Sequence, residues 1–384
     1  MNFEFATATR ILFGPGTLRE AGPIAKAFGQ RALVVTGRTP RRARPLLAVL
    51  RAAGVKCVTF AIAGEPTTDS VSEGVTRARK ERCDVIIGFG GGSALDTAKA
   101  VAALITNGGV LMDYLEVIGR GQPLTAPSAP CMTIPTTAGS GAEVTRNAVI
   151  GSPRHRVKVS LRSPLMLPRV AIVDPALTHG LPRQATAHCG LDALSQLIEP
   201  FVSVKACPMT DAFCRAGIRL AAGSLRRACE HGDDAAARED MSLASLFGGL
   251  SLANAGLGAV HGFASPLGGM FPAPHGAVCA VLLPSVMEVN LRALRGRRPG
   301  SETLRRYDEV AQLLTSNRRA AADDGVEWVS ELCAALKIAP LRTYGVKPRH
   351  FPALVEKAAA ASSMKGNPIQ LSQSELREVL ERCL

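Results

Sequence analysis

In the first half of the chain, short runs of β-branched residues alternate with stretches of helical period. Residues 31–36 predict a strand followed by a helix through about 53, and residues 55–62 a second strand followed by a helix near 70–81. Residues 84–88 predict a third strand, which runs into a glycine cluster and a helix from Ser93; 131–135 and 170–174 supply further strands. Strand–helix alternation at this spacing predicts a mainly parallel sheet covered by helices.

The pattern changes after Leu181-Pro182, where long helical stretches follow at about 185–201, 208–229 and 234–257 with few β runs. The expectation is an α/β, Rossmann-like nucleotide-binding domain over residues 1–183 and an all-α domain over 184–384. No internal repeat, low-complexity tract or long linker separates them, so close packing is expected. Residues 294–301, rich in Arg, Gly and Pro, predict an exposed loop. Residues 241–274 carry no charged side chain unless His261 is protonated. That stretch is long enough to span a bilayer, but Ser, Asn and many Gly interrupt it, so it predicts a buried helix and no membrane partner.

Composition changes this picture little. A hydrophobic share of 47% with 20% charged residues is ordinary for a soluble globular protein, and aromatics at 4% leave Ala, Leu, Val and Gly to fill the core. The net charge of +13 comes from basic residues scattered along the chain (Arg41, Arg42, Arg226, Arg227, Arg297, Arg298). Scattered arginines without interleaved aromatics argue for a solvated surface and against a nucleic-acid binder. The ten cysteines include no CxxC pair and sit mostly in apolar segments, as expected of reduced thiols in a cytoplasmic protein. The segment from Met1 to Thr9 is short and contains Glu4, and does not read as a signal peptide.

Two clusters carry candidate cofactor chemistry. Gly88-Phe89-Gly90-Gly91-Gly92-Ser93-Ala94-Leu95-Asp96-Thr97-Ala98-Lys99 follows a buried strand and opens a helix. Glycines there permit close backbone approach, and free N–H groups at a helix start attract a pyrophosphate. The run is not the standard GxGxxG fingerprint. The second cluster is Pro135-Thr136-Thr137-Ala138-Gly139-Ser140-Gly141-Ala142-Glu143. Further on, Gly190-Leu191-Asp192-Ala193-Leu194-Ser195-Gln196 places Asp192 and Gln196 four residues apart, hence on one helix face. His261 and His275 lie fourteen residues apart at the end of the uncharged stretch, where polar imidazoles need partners.

These motifs, in this order from Ile11-Leu12-Phe13-Gly14 to Asn367-Pro368, resemble those of the iron-containing alcohol dehydrogenases: GGGSxxDxAK at 90–99, PTTAGTGSE at 135–143 and DPxLT at 174–178. The resemblance implies a dehydroquinate synthase-like architecture and an NAD(P)-dependent oxidoreductase that interconverts a small alcohol and its aldehyde or ketone. It implies cofactor contacts at Gly91, Gly92, Ser93, Asp96, Thr136, Thr137, Ser140, Lys158 and Leu177, and a homodimer. It further implies metal ligands at Asp192, Gln196, His261 and His275, with Asp192, His261 and His275 as the catalytic cluster. Two positions depart from the family pattern there: Gln196 replaces a histidine ligand, and Ser265 a histidine near the nicotinamide. A third departure, Glu65, stands where the family commonly has Asn.

The cofactor preference is read from the end of the first predicted strand, where Gly37 and Arg38, followed by Arg41 and Arg42, replace the usual acidic residue. No carboxylate repels a 2′-phosphate there and guanidinium groups can hold it, so NADP is expected ahead of NAD. An amide oxygen is a weak donor to a first-row metal, but three stronger ligands can still hold Fe²⁺ or Zn²⁺. Alternatives therefore stay open at this stage. One is a metal-independent keto-acid reductase of the maleylacetate reductase type, with His261 or His275 as the electrophile and Arg146 suited to a carboxylated substrate. Another is a non-catalytic NADP(H)-binding protein derived from a dehydrogenase.

Overall fold

The computed structural model describes residues 2–384. The chain divides into an α/β unit, residues 6–179, and a helical unit, residues 180–384 with the first few residues of the chain. The division falls after His179, a little before the expected 183.

The α/β unit is built on eight strands: β1 (Arg10–Phe13), β2 (Arg31–Thr36), β3 (Lys56–Ala61), β4 (Val85–Gly90), β5 (Cys131–Pro135), β6 (Asn147–Ser152), β7 (Val157–Arg162) and β8 (Val170–Val173). Six of them form one parallel sheet in the order β1-β8-β5-β4-β2-β3. Its helices are α1 (Ala21–Phe28), α2 (Arg44–Ala52), α3 (Thr68–Lys80), α4 (Gly92–Thr106) and the short α5 (Leu111–Tyr114). Alternate residues of each strand face opposite sides of the sheet. Leu33, Val35 and Ile86 belong to one apolar cluster with Val71 of α3 and Val101 of α4. Ala32, Val34 and Ile87 join a second with Ala25 of α1 and Leu46 of α2. Burial on both faces explains why these strands read as continuous apolar runs.

Two strand features escape the pattern reading. β1 is a four-residue edge strand, too short to show a period. β6 and β7 form a separate antiparallel hairpin in which Ala148 and Ile150 alternate inward between half-buried neighbours.

The helical unit contains α6 (Arg183–Val202), α7 (Pro208–Glu230), α8 (Ala235–Ala255), α9 (Ala259–Met270), α10 (His275–Arg297), α11 (Glu302–Thr315), α12 (Ala322–Ala335), α13 (Phe351–Ala360) and α14 (Gln373–Arg382). The uncharged stretch is not one helix: α8 and α9 meet at 98° across Gly256, Leu257 and Gly258. A Cβ at Gly258 would stand 2.9 Å from both Asn367 Oδ1 and Glu199 Oε1, so this turn depends on a bare backbone. Residues 294–297 continue α10 rather than joining the predicted loop, which begins only at Arg298. Among the described residues one helix, α10, has the length and apolarity of a membrane span, but 72% of its most apolar window is buried inside the fold, as in a core helix of a folded domain.

Candidate active site

In the α/β unit the strand order reverses between β2 and β4, and a crevice at the carboxyl ends of such strands is where open parallel sheets bind nucleotides. Gly37 follows β2 there, and the glycine turn follows β4 and starts α4. Gly90 has φ of 156°, and a Cβ on it would lie 2.8 Å from Ala94 Cβ and 3.4 Å from the Gly37 nitrogen. The threonine motif arrives from β5. The Thr136 N–H donates to Gly90 O at 2.9 Å, Thr137 Oγ1 stands 3.4 Å from where a Gly91 side chain would begin, and Ser140 Oγ 2.9 Å from that of Gly92. Gly37, Gly91, Gly92, Ser93, Thr136, Thr137 and Ser140 thus converge at one strand-end. No side chain caps the N-terminus of α4, which leaves its first N–H groups to an anion.

The other predicted cofactor residues are placed differently. Asp96 is engaged within the protein, one oxygen 2.9 Å from Lys99 Nζ and the other accepting from the Val149 N–H at 2.9 Å. Lys99 is fully buried and also donates to Ala142 O, Thr145 Oγ1 and Asn147 O, tying α4 to the threonine loop and β6. Lys158, on β7, forms an ion pair with Glu65, the residue that departs from the family pattern. Leu177 sits in the turn after β8, packed on the second apolar cluster. Arg38 is exposed and donates from Nε to Ala63 O at 2.9 Å, while Arg41 and Arg42 are exposed in the turn Pro40–Ala43.

In the helical unit, three helices bring together the residues expected to bind metal. α6 supplies Asp192, α9 His261 and α10 His275. Asp192 Oδ1 lies 3.3 Å from His261 Nε2 and 3.7 Å from His275 Nε2, and has no hydrogen-bond partner. Gln196 shares the buried face of α6, and its Oε1 is likewise without a partner. The start of α10 packs tightly on α6: a Cβ at Gly276 would fall 2.5 Å from His188 O.

Two residues that the pattern reading missed complete the cluster. Glu199, on α6, accepts from His261 Nδ1 at 2.5 Å and from the Val260 N–H at 2.7 Å, so it both caps α9 and orients the ring. Cys279, on α10, places Sγ 3.8 Å from His261 Nε2 and 3.7 Å from His275 Nε2. Positional signals for both exist in the chain: Glu199 is seven residues after Asp192 in an apolar helix, and Cys279 four after His275.

Burial acts against a charge on Asp192, but His275 and His261 outweigh it and hold the carboxyl below its ordinary range. Burial also opposes an imidazolium at His261, yet Cys279, Glu199 and Asp192 push that ring well above its usual value. The field at this point favours positive charge.

The donor set fits a divalent metal. With Nδ1–H given to Glu199, His261 presents the Nε2 lone pair to the unpaired oxygen of Asp192 at 3.3 Å. Facing lone pairs in a buried site repel, and either a second proton on His261 or a metal cation in the same place relieves that repulsion; a carboxylate behind a metal-binding histidine is the usual orienting arrangement. Among the described residues, Asp192, His261, His275 and Cys279 are the group whose ligand atoms lie within 4.8 Å of one another.

A parallel sheet with a dinucleotide-type turn at its switch point, followed by a helical unit with imidazoles and a carboxylate converging, fits a nucleotide-dependent enzyme with a metal site. Residues 8–175 match the family model for iron-containing alcohol dehydrogenase, and residues 186–384 that for the C-terminal part of the Fe-containing alcohol dehydrogenase family. The chain belongs to the iron-containing alcohol dehydrogenase family. It is 34% identical to a 1,3-propanediol dehydrogenase of Citrobacter freundii over 99% of this chain and 98% of that protein. It is 33% identical to a choline dehydrogenase of Bacillus subtilis, over 99% of this chain and 94% of the other. The crystal structure of a 1,3-propanediol oxidoreductase superposes with a TM-score of 0.92 at 32% identity, covering all of both chains. The protein is accordingly an NAD(P)-dependent oxidoreductase of alcohols and their aldehydes.

Proposed function

We propose that the enzyme interconverts a small alcohol and its aldehyde or ketone by hydride exchange with a nicotinamide cofactor, preferring NADP(H). The substrate oxygen would lie where Asp192, His261 and His275 hold Fe²⁺ or Zn²⁺, with Gln196 beside them on the buried face of α6. The observation that carries this reading is the unpartnered Asp192 Oδ1 facing His261 Nε2 at 3.3 Å, with Glu199 holding the opposite ring nitrogen. When bound, such a metal supplies Lewis acidity to the substrate oxygen.

The protein's own groups do the rest. Glu199 orients His261, Asp192 brings negative charge, and the glycine turn with Thr137 and Ser140 receives the pyrophosphate. Ser265, one turn beyond His261, offers a hydroxyl whose pKa is unsuited to general acid–base work near neutrality. Arg38 supports the NADP preference: its Nε is anchored on Ala63 O beside Gly37, and no carboxylate stands at the end of β2. By analogy with its family the protein acts as a homodimer in the cytoplasm.

The test is NADPH oxidation with a panel of aldehydes and keto acids, on enzyme stripped by chelator and reloaded with Fe²⁺ or Zn²⁺. Activity is expected to vanish on stripping and return with metal. Activity indifferent to chelation overturns the metal reading in favour of a metal-independent keto-acid reductase. In the same assay the ratio of kcat/KM for NADPH over NADH should exceed one and fall roughly tenfold in Arg38→Ala, the value of one charge-assisted contact. A ratio below one in the wild type refutes the NADP preference.

A further inference from the structure

The replacement of a histidine by Gln196 leaves the site one strong donor short, and α10 offers another in its place. We propose that Cys279 is a metal ligand of this enzyme, its thiolate filling the fourth protein position beside Asp192, His261 and His275. The proposal rests on the metal reading above and adds a residue that the pattern of Asp, Gln and two histidines does not contain.

Geometry is the first support. With bonds of about 2.0–2.3 Å and tetrahedral angles, N, O and S donors around a metal such as Zn²⁺ stand about 3.3–3.6 Å apart. The distances here are 3.3 and 3.7 Å from Asp192 Oδ1 to the two imidazoles, and 3.8 and 3.7 Å from Cys279 Sγ to the same two nitrogens. All four donor atoms fall within 4.8 Å of one another. Position follows from the helix: Cys279 is four residues after His275, so both project from one face of α10.

Hydrogen bonding is the second. A thiol has one proton, but Sγ faces two Nε2 atoms, and Asp192 Oδ1 opposite has no partner although Asp192 is 4% exposed. As an ordinary core thiol, Cys279 has one proton to share among two ring nitrogens and the Asp192 carboxylate. As a thiolate ligand it meets both rings and the carboxylate through one shared cation, releasing its proton on binding.

Charge is the third. One carboxylate, one thiolate and two neutral imidazoles balance a divalent cation, and the soft sulfur suits Zn²⁺ and its spectroscopic substitute Co²⁺. In this arrangement the Gln196 amide is left free to meet a substrate or water oxygen.

Chelator-stripped enzyme titrated with Co²⁺ provides the test. The wild type should bind one Co²⁺ per chain and develop the near-ultraviolet thiolate-to-cobalt charge-transfer band. Cys279→Ala should lose the band and bind Co²⁺ at least roughly tenfold more weakly, by the scale of single changes around metal sites. Cys279→Ser, nearly isosteric, should lose the band too and guards against a folding defect in the alanine variant. Adding Gln196→His to Cys279→Ala should restore affinity without the band. Full Co²⁺ binding by the wild type with no such band overturns the thiolate ligand and leaves the Asp/His/His site standing. No Co²⁺ binding by the wild type overturns the metal reading and this proposal together.

Discussion

The glycine turn of the α/β unit and the ligand cluster of the helical unit are both dense in polar side chains, but they handle them in opposite ways. Around α4 the motif residues satisfy one another: Asp96 is held by Lys99 and the Val149 N–H, and Lys99 adds three further acceptors. In the helical unit Asp192 Oδ1 and Gln196 Oε1 are buried with no partner at all. A buried polar group left unpaired costs about 1–3 kcal/mol, more when charged, and two such oxygens one turn apart on the buried face of α6, beside two imidazoles, point to a ligand. The difference separates residues that shape a site from residues that wait for a ligand, although a motif search returns both kinds alike.

The sharpest way to break this contrast is at Lys99. If it shapes rather than binds, Lys99→Met should destabilise the fold by about 3–5 kcal/mol, because it strips the partner from Asp96 and orphans buried acceptors. Denaturant unfolding reads that loss. A normally stable Lys99→Met enzyme with impaired cofactor affinity would instead make Lys99 a binding group and dissolve the contrast.

Glu143 offers the next test, because in the saturated region it is a carboxyl whose burial favours the neutral form. It is buried, and burial pushes its carboxyl up to about 7 against the weaker pull of its own backbone N–H and Lys99. A folded value above the unfolded 4.5 means that the native state binds the extra proton, so stability is full below about 4.5 and lost as pH rises through 7. Glu143→Gln removes that loss. Its stability relative to wild type should improve by up to about 3 kcal/mol between pH 4.5 and pH 8, at 1.36 kcal/mol per unit. Parallel stability–pH curves for the two proteins would show that Glu143 is ionised in the fold.

These contrasts also mark what the chain discloses before folding. The parallel sheet was legible because its strands are buried on both faces and separated by amphipathic helices; the observed β2 and β5 span the predicted residues. The β6–β7 hairpin was not, since its polar and charged half-buried positions break the apolar runs by which the buried strands were read. The 98° bend between α8 and α9 was hidden because glycines in an uncharged stretch read as interruptions of one helix. At the site, Asp192, His261 and His275 were legible by motif. Cys279 and Glu199 were not picked out, because their spacing from His275 and Asp192 gains meaning only when neighbouring helices bring imidazoles to them.

Glu199 gives the smallest expected effect and the finest test of the comparison. It stands in the unsatisfied region but is itself satisfied, with one oxygen on His261 Nδ1 and the other on the Val260 N–H. It should therefore be a positioning residue, acting on the metal through His261. Glu199→Gln keeps the size and one acceptor but weakens the grip on Nδ1–H, so the ring loses both its fixed tautomer and some basicity at Nε2. Metal affinity should fall about 10–100-fold, while the fold holds because the amide oxygen can still accept from Val260. A purely structural role would lower thermal stability and leave the metal dissociation constant of the folded protein unchanged. Loss of affinity at full stability would place Glu199 with the ligands it supports, and show that a saturated side chain can serve an unsaturated site by holding its neighbour's proton.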